Sequence, residues 1–103
     1  MVAFNYDPGK KILTASFSGR LDSLAVQKLS EIIQVNLPMK DGKSEDKIIF
    51  DLREVDYISS SFIRICVNTA KQTGSGQFSI AHCQPFIKKT FKISGLDDIL
   101  NVT

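Results

Sequence analysis

An α/β fold, a mixed and mainly parallel sheet with helices packed on it, is predicted by three features of this chain. A tight-turn signal, Asp7-Pro8-Gly9-Lys10, separates two short alternating segments and opens the chain with an antiparallel hairpin. An apolar run from Ile48 to Leu52 reads as a central strand, and segments of helical and extended period alternate after it. Such alternation implies right-handed crossovers between parallel strands, leaving only the hairpin strand antiparallel. With 103 residues the chain is sized for one domain, residues 1–103.

The first strand covers Phe4-Asn5-Tyr6, and Pro8 and Gly9 take the second and third turn positions, Gly9 with a positive φ. In the second strand, Lys11 to Ser18, alternation points Leu13, Ala15 and Phe17 at a core, and Gly19 ends the strand. Asp22 then caps a helix that runs to about Val35, with Leu21, Ala25, Leu29, Ile32 and Ile33 as its apolar side. Pro38 through Lys47 is polar and rich in breakers, which reads as an exposed connection.

The run Ile48 to Leu52 suits a strand covered on both faces, apart from Asp51. That carboxylate must be solvated or paired, with Arg53 or water as its partner. After a polar break, a helix opens near Ser61 with Ile63, Cys66, Val67 and Ala70 along one stripe, and Thr73-Gly74-Ser75-Gly76 stops it. Gln77 to Ala81 is a short strand. Pro85 opens a last helix whose Ile87, Phe91 and Leu96 form an apolar side; Gly95 is its stop, and Leu96 to Leu100 allows a short closing helix.

Composition excludes several functions. Hydrophobic residues at 43% and charged residues at 23% describe a folded soluble chain, and no apolar run reaches the ~20 residues of a membrane span. A formal charge of +2 gives no bulk electrostatic case for nucleic acid, and Lys88, Lys89 and Lys92 read as a solvated helix face. The start, Met1 to Asp7, lacks an export signal's basic and apolar parts, so a cytoplasmic site is expected. Cys66 and Cys83 read as small buried apolar groups, with neither disulfide nor metal spacing, and no glycine loop suggests a phosphate-binding cofactor.

The richest segment is Ile58-Ser59-Ser60-Ser61-Phe62-Ile63, where a strand feeds a helix whose first turn carries three hydroxyls. A helix start presents unpaired N–H groups and the positive end of the dipole, so it tolerates an attached or bound phosphate. One of the serines is expected to serve as the N-cap.

Taken together, Gly19-Arg20-Leu21-Asp22 before the first helix, Ile49-Phe50-Asp51-Leu52 with Val55, Tyr57 and Ile58, the serine turn, and Pro85, Ile87, Phe91, Gly95 and Leu96 resemble a STAS domain. That fold is shared by bacterial anti-sigma factor antagonists, stressosome proteins and the cytosolic tails of sulfate transporters. The resemblance implies a non-enzymatic regulatory module that binds an anti-sigma factor or related serine kinase. A serine phosphatase would reverse the kinase's work, and self-association is left open. By position, the phosphorylated serine of the family's aspartate-serine-serine-glycine motif matches Ser61, with Ser60 next. Docking then falls to the edge made by Gly19, Arg20, Leu21 and Asp22, by Tyr57 and Ser59 to Phe62, and by Cys83 to Pro85.

Two positions depart from the family pattern: Ser59 replaces its aspartate and Phe62 its glycine. Phe62 has two readings, a side chain tucked under a neighbouring loop or an exposed aromatic anchor for a partner. Two other functions compete. One is a constitutive adaptor in which the serines act only as caps. The other is a small hydrolase or transferase built on His82-Cys83, which lacks a second histidine and a nucleophile elbow.

Overall fold

The computed structural model describes residues 1–37, 46–74 and 76–103. Strands β1 (Val2–Asp7), β2 (Ile12–Leu21), β3 (Lys47–Ile58) and β4 (Phe78–Ala81) form one sheet in the order β1-β2-β3-β4. The β1–β2 pair is antiparallel, while β2–β3 and β3–β4 are parallel. Helices α1 (Ser23–Asn36), α2 (Ser60–Gln72) and α3 (Pro85–Ile93) follow β2, β3 and β4. The expected α/β architecture with its N-terminal hairpin is therefore the observed one. The exposed connection expected over 38–47 lies outside the described residues except for Asp46 and Lys47.

Several local expectations need correction. In the hairpin the left-handed residue is Lys11, with φ of 55°, not Gly9. Asp7 pairs with Ile12, so the loop has four residues and its reversal falls on the last of them; the Asp7 carboxylate accepts the Lys10 N–H at 3.1 Å. Gly19 does not end β2, which continues to Leu21. Residues Leu96 to Leu100 form hydrogen-bonded turns rather than a helix. Asn101, with φ of 50°, then redirects the chain beside β4, where Val102 bridges to Ile80 and the Thr103 N–H donates to the Ile80 carbonyl at 2.9 Å.

The core lies on one face of the sheet. Leu13, Ala15 and Phe17 of β2, Ile48, Phe50 and Leu52 of β3, and Phe78 and Ile80 of β4 are buried. Thr14, Ile49, Asp51 and Ser79 between them are only half-buried, so β3 is not covered on both faces as its apolar run suggested. On α1 the buried residues are Val26, Leu29 and Ile33, while Ile32 turns outward. On α2 they are Phe62, Cys66 and Thr69, with Ile63, Val67 and Ala70 flanking. Pro85 opens α3, and Gly95 closes it in a Schellman turn, with the Leu96 N–H on the Phe91 carbonyl and the Gly95 N–H on the Lys92 carbonyl, both at 3.0 Å.

The stretch after Leu52 belongs to β3 rather than to a polar break. Between the pairs Ser16–Asp51 and Leu21–Ile58, β2 advances five residues and β3 seven, so β3 carries two extra residues at two irregularities. Burial accordingly switches from every second to every third residue, at Leu52, Val55 and Ile58. Asp51 takes the Arg53 backbone N–H at 2.9 Å inside the first bulge, which gives its carboxylate a partner from the main chain. Opposite Val55, Gly19 has φ of 87°, and a Cβ added there would meet nothing within 4 Å. Gly19→Ala is therefore expected to cost only the left-handed backbone penalty, about 1–2 kcal/mol in urea unfolding; an unchanged midpoint would show that the bulge relaxes freely.

Candidate functional site

The carboxyl ends of β2 and β3 meet through their last residues. Leu21 pairs with Ile58, and the Ser59 N–H donates to the Leu21 carbonyl at 2.9 Å, so the chain leaves both strands at one point and enters α1 and α2. Asp22 caps α1, its Oδ1 accepting the Ala25 N–H at 2.9 Å. Ser59 caps α2, its Oγ accepting the Phe62 N–H at 3.3 Å. Both caps satisfy amides that a helix start leaves without an intrahelical acceptor.

The three hydroxyls have different surroundings. Ser59 is buried, at 7% exposure, and its Oγ lies 2.9 Å from the Ser61 Oγ. Ser60 is exposed and Ser61 half-buried. Ser59 is thus the cap foreseen for the turn, while Ser60 is exposed and the hydroxyl of the half-buried Ser61 lies against that cap. Removing the cap with Ser59→Ala is expected to cost about 1 kcal/mol, read as a lower urea midpoint, and a loss below ~0.3 kcal/mol would mean the bond to Phe62 contributes nothing.

Phe62 sits directly below this turn with no exposed area. Its ring packs edge-on against Phe17 at 5.2 Å and tilted against Phe50 at 6.2 Å, and Phe50 in turn meets Phe78 edge-on at 5.0 Å. The exposed-anchor reading of Phe62 is therefore overturned: the ring is committed to the core and offers a partner no surface. Leu21, also fully buried, and Ser59, the buried cap, are removed from the docking residues for the same reason.

What remains accessible on the edge is polar and aromatic. The Arg20 guanidinium lies 4.0 Å from the centre of the Tyr57 ring, its cross-strand partner, and its Nε is 3.8 Å from Asp22 Oδ2. Arg20 thus stacks on Tyr57 and pairs with Asp22 where β2 and β3 lead into α1 and α2. Gln84, beyond β4, is tied to β3 at its first bulge, its Nε2 donating to the Arg53 carbonyl at 3.3 Å. Neither the Arg20–Tyr57 stack nor the Gln84 tie was visible in the sequence, because both depend on the register that the bulges set.

The pair His82-Cys83 lies just beyond β4. His82 is exposed with φ of 59°. Burial pushes the neighbouring Cys83 thiol up to about 11; Lys88 opposes the rise and Asp51 adds to it. A thiol held there is almost wholly protonated at neutral pH and is a poor nucleophile. Burial raises the Cys66 thiol well above its ordinary value, with Cys83 adding to the effect. Among the described residues no group of three or more His, Cys, Asp or Glu is placed to hold a metal, and no helix is long and apolar enough to cross a membrane.

A parallel β2–β3–β4 sheet behind an antiparallel hairpin, with α1 and α2 capped where they leave its carboxyl edge, defines a class of small α/β domains. Comparison with known proteins gives the family. The STAS domain model matches residues 10–103, and the chain belongs to that family. BtrV of Bordetella bronchiseptica, named as an anti-sigma factor antagonist, is 30% identical over 93 residues, spanning 88% of this chain and 77% of that protein. Among solved structures, an anti-sigma factor antagonist (STAS) domain protein from Planctomyces limnophilus superposes with a TM-score of 0.80 at 18% identity, over 99% of this chain and 87% of that one. The Bacillus cell fate determinant SpoIIAA in its phosphorylated form gives 0.59 at 16% identity, over 100% and 91%. The anti-sigma factor antagonist SpoIIAA in its unphosphorylated form gives 0.57 at 14%, over 90% and 83%.

Proposed function

We propose that this chain is an anti-sigma factor antagonist whose docking to an anti-sigma factor or related serine kinase is switched by phosphorylation of Ser61, with Ser60 as the next acceptor. The observation that carries this reading is the division of labour in the serine turn. The buried Ser59 holds the cap and Phe62 holds the core, while the exposed Ser60 and the half-buried Ser61 neither cap the helix nor fill the core. The kinship with BtrV, a protein named as an anti-sigma factor antagonist, supports the partner class.

A phosphate on this turn adds about −1.5 to −2 charges where the helix dipole favours an anion, so the fold tolerates it. Its effect falls on the partner, through repulsion and through polar groups that docking must desolvate. The surface proposed is Gly19, Arg20, Asp22, Tyr57, Ser60 and Ser61. The setting proposed is the cytoplasm, with a serine phosphatase restoring the docking form.

The test is to incubate the protein with extract of its source cells and ATP, and to map phosphate by mass spectrometry. Modification at Ser61, or at Ser60, is the expected result. No phosphate on either serine, together with capture of an anti-sigma factor from the same extract, would favour a constitutive adaptor. That second reading draws on the 2.9 Å contact between Ser59 and Ser61, which gives the Ser61 hydroxyl a structural partner.

A further inference from the structure

Helix α1 is apolar on two sides. Val26, Leu29 and Ile33 face the core, but Leu24, Ile32 and Val35 are 62%, 46% and 77% exposed. Among the described residues no other element exposes three large apolar side chains. At 3.6 residues per turn, Leu24, Lys28, Glu31 and Val35 share a stripe about 60° wide opposite the buried side, with Ile32 at its margin. An outer helix face is ordinarily polar, so a stripe of this kind is left for something to cover.

The order of residues along the stripe says what covers it. Leu24 and Val35 stand at its two ends, and Lys28 and Glu31 lie at equal distances from a midpoint between Leu29 and Ser30. An antiparallel copy related by a two-fold axis through that midpoint sets Leu24 against the partner's Val35 and Lys28 against the partner's Glu31, each contact occurring twice. A parallel copy would instead place like charges together. One lysine balanced by one glutamate also gives no preference for an acidic protein or an anionic surface.

We propose that α1 is the contact helix of an antiparallel, two-fold homodimer of this chain. The helices approach to the usual 8–10 Å, with Leu24 and Val35 closing the ends and two Lys28–Glu31 pairs setting the register. A single helix pair covers less than the ~1,200–2,000 Å² of a standard stable interface, so the association is reversible and appears at high protein concentration. It rests on residues outside the serine turn and stands whether or not phosphorylation occurs.

Sedimentation equilibrium of the purified chain from about 10 µM to about 1 mM tests it, with circular dichroism of each variant confirming that α1 is intact. The wild type is expected to rise from the monomer mass toward twice that mass. Lys28→Glu or Glu31→Lys alone places like charges across the axis and weakens association about tenfold. An equimolar mixture of those two variants regains it, because each acid then faces a base. Leu24→Gln/Val35→Gln remains monomeric. A wild type that stays monomeric throughout, association that survives Leu24→Gln/Val35→Gln, or a mixture no stronger than its components would overturn the proposal.

Discussion

Phe62→Ala is expected to destabilise the fold by about 3–5 kcal/mol, the range for emptying a fully buried aromatic site. Phe62 has no exposed surface and makes ring contacts with Phe17 and Phe50. Because its amide is also the donor to the Ser59 cap, the ring and the cap act on the same residue of α2. Loss of the ring therefore loosens the first turn as well as opening a cavity. Against a typical total stability of 5–15 kcal/mol the variant is marginal, with a thermal midpoint lower by on the order of 15 °C. Scanning calorimetry with urea unfolding reads both numbers. A loss below about 1 kcal/mol would mean that neighbours collapse into the space and that the aromatic cluster is not what fixes the turn.

The second large effect is on binding. If docking runs through the serine turn, Ser61→Asp lowers affinity for the captured anti-sigma factor by about a hundredfold, equivalent to about 2.7 kcal/mol, relative to Ser61→Ala. Thermal stability of the two variants stays within about 2 °C, since an acid in the first helical turn is favoured by the dipole and Ser59 offers it a neutral hydroxyl. Calorimetric titration and melting curves on the same preparations separate the two quantities. Equal affinities would detach charge at Ser61 from docking, and a large stability loss would make any binding defect an effect of unfolding.

Much of the fold was legible because its signals are local. Pro85 and Gly95 bracket α3, Asp22 caps α1, and Leu13, Ala15 and Phe17 alternate into the core as the period of a strand requires. The errors cluster where a global feature overrides the local one. Arg53 to Tyr57 looked like a break because two bulges replace the two-residue period with a three-residue one. Ile32 looked like core because it adjoins Ile33, yet helix geometry turns it about 100° away. At the candidate site the cap on α2 was foreseeable from composition, but not which of three adjacent serines forms it. That choice follows from Ser59 being the residue tied to Leu21 across the sheet.

The paired bulges of β3 also constrain how this family member can change length. Each extra residue shifts the alternation of β3 by one position, so Val55 and Ile58 keep facing the core at three-residue steps from Leu52. Deleting the extra residue of either bulge would remove that bulge and restore the two-residue period locally, leaving Tyr57 opposite Arg20 and Ile58 opposite Leu21 with their facing unchanged. Single-residue gaps should accordingly be found at either bulge among viable homologues, and a single-deletion library should return survivors there but none at Ile48 to Phe50, where β3 carries no extra residue.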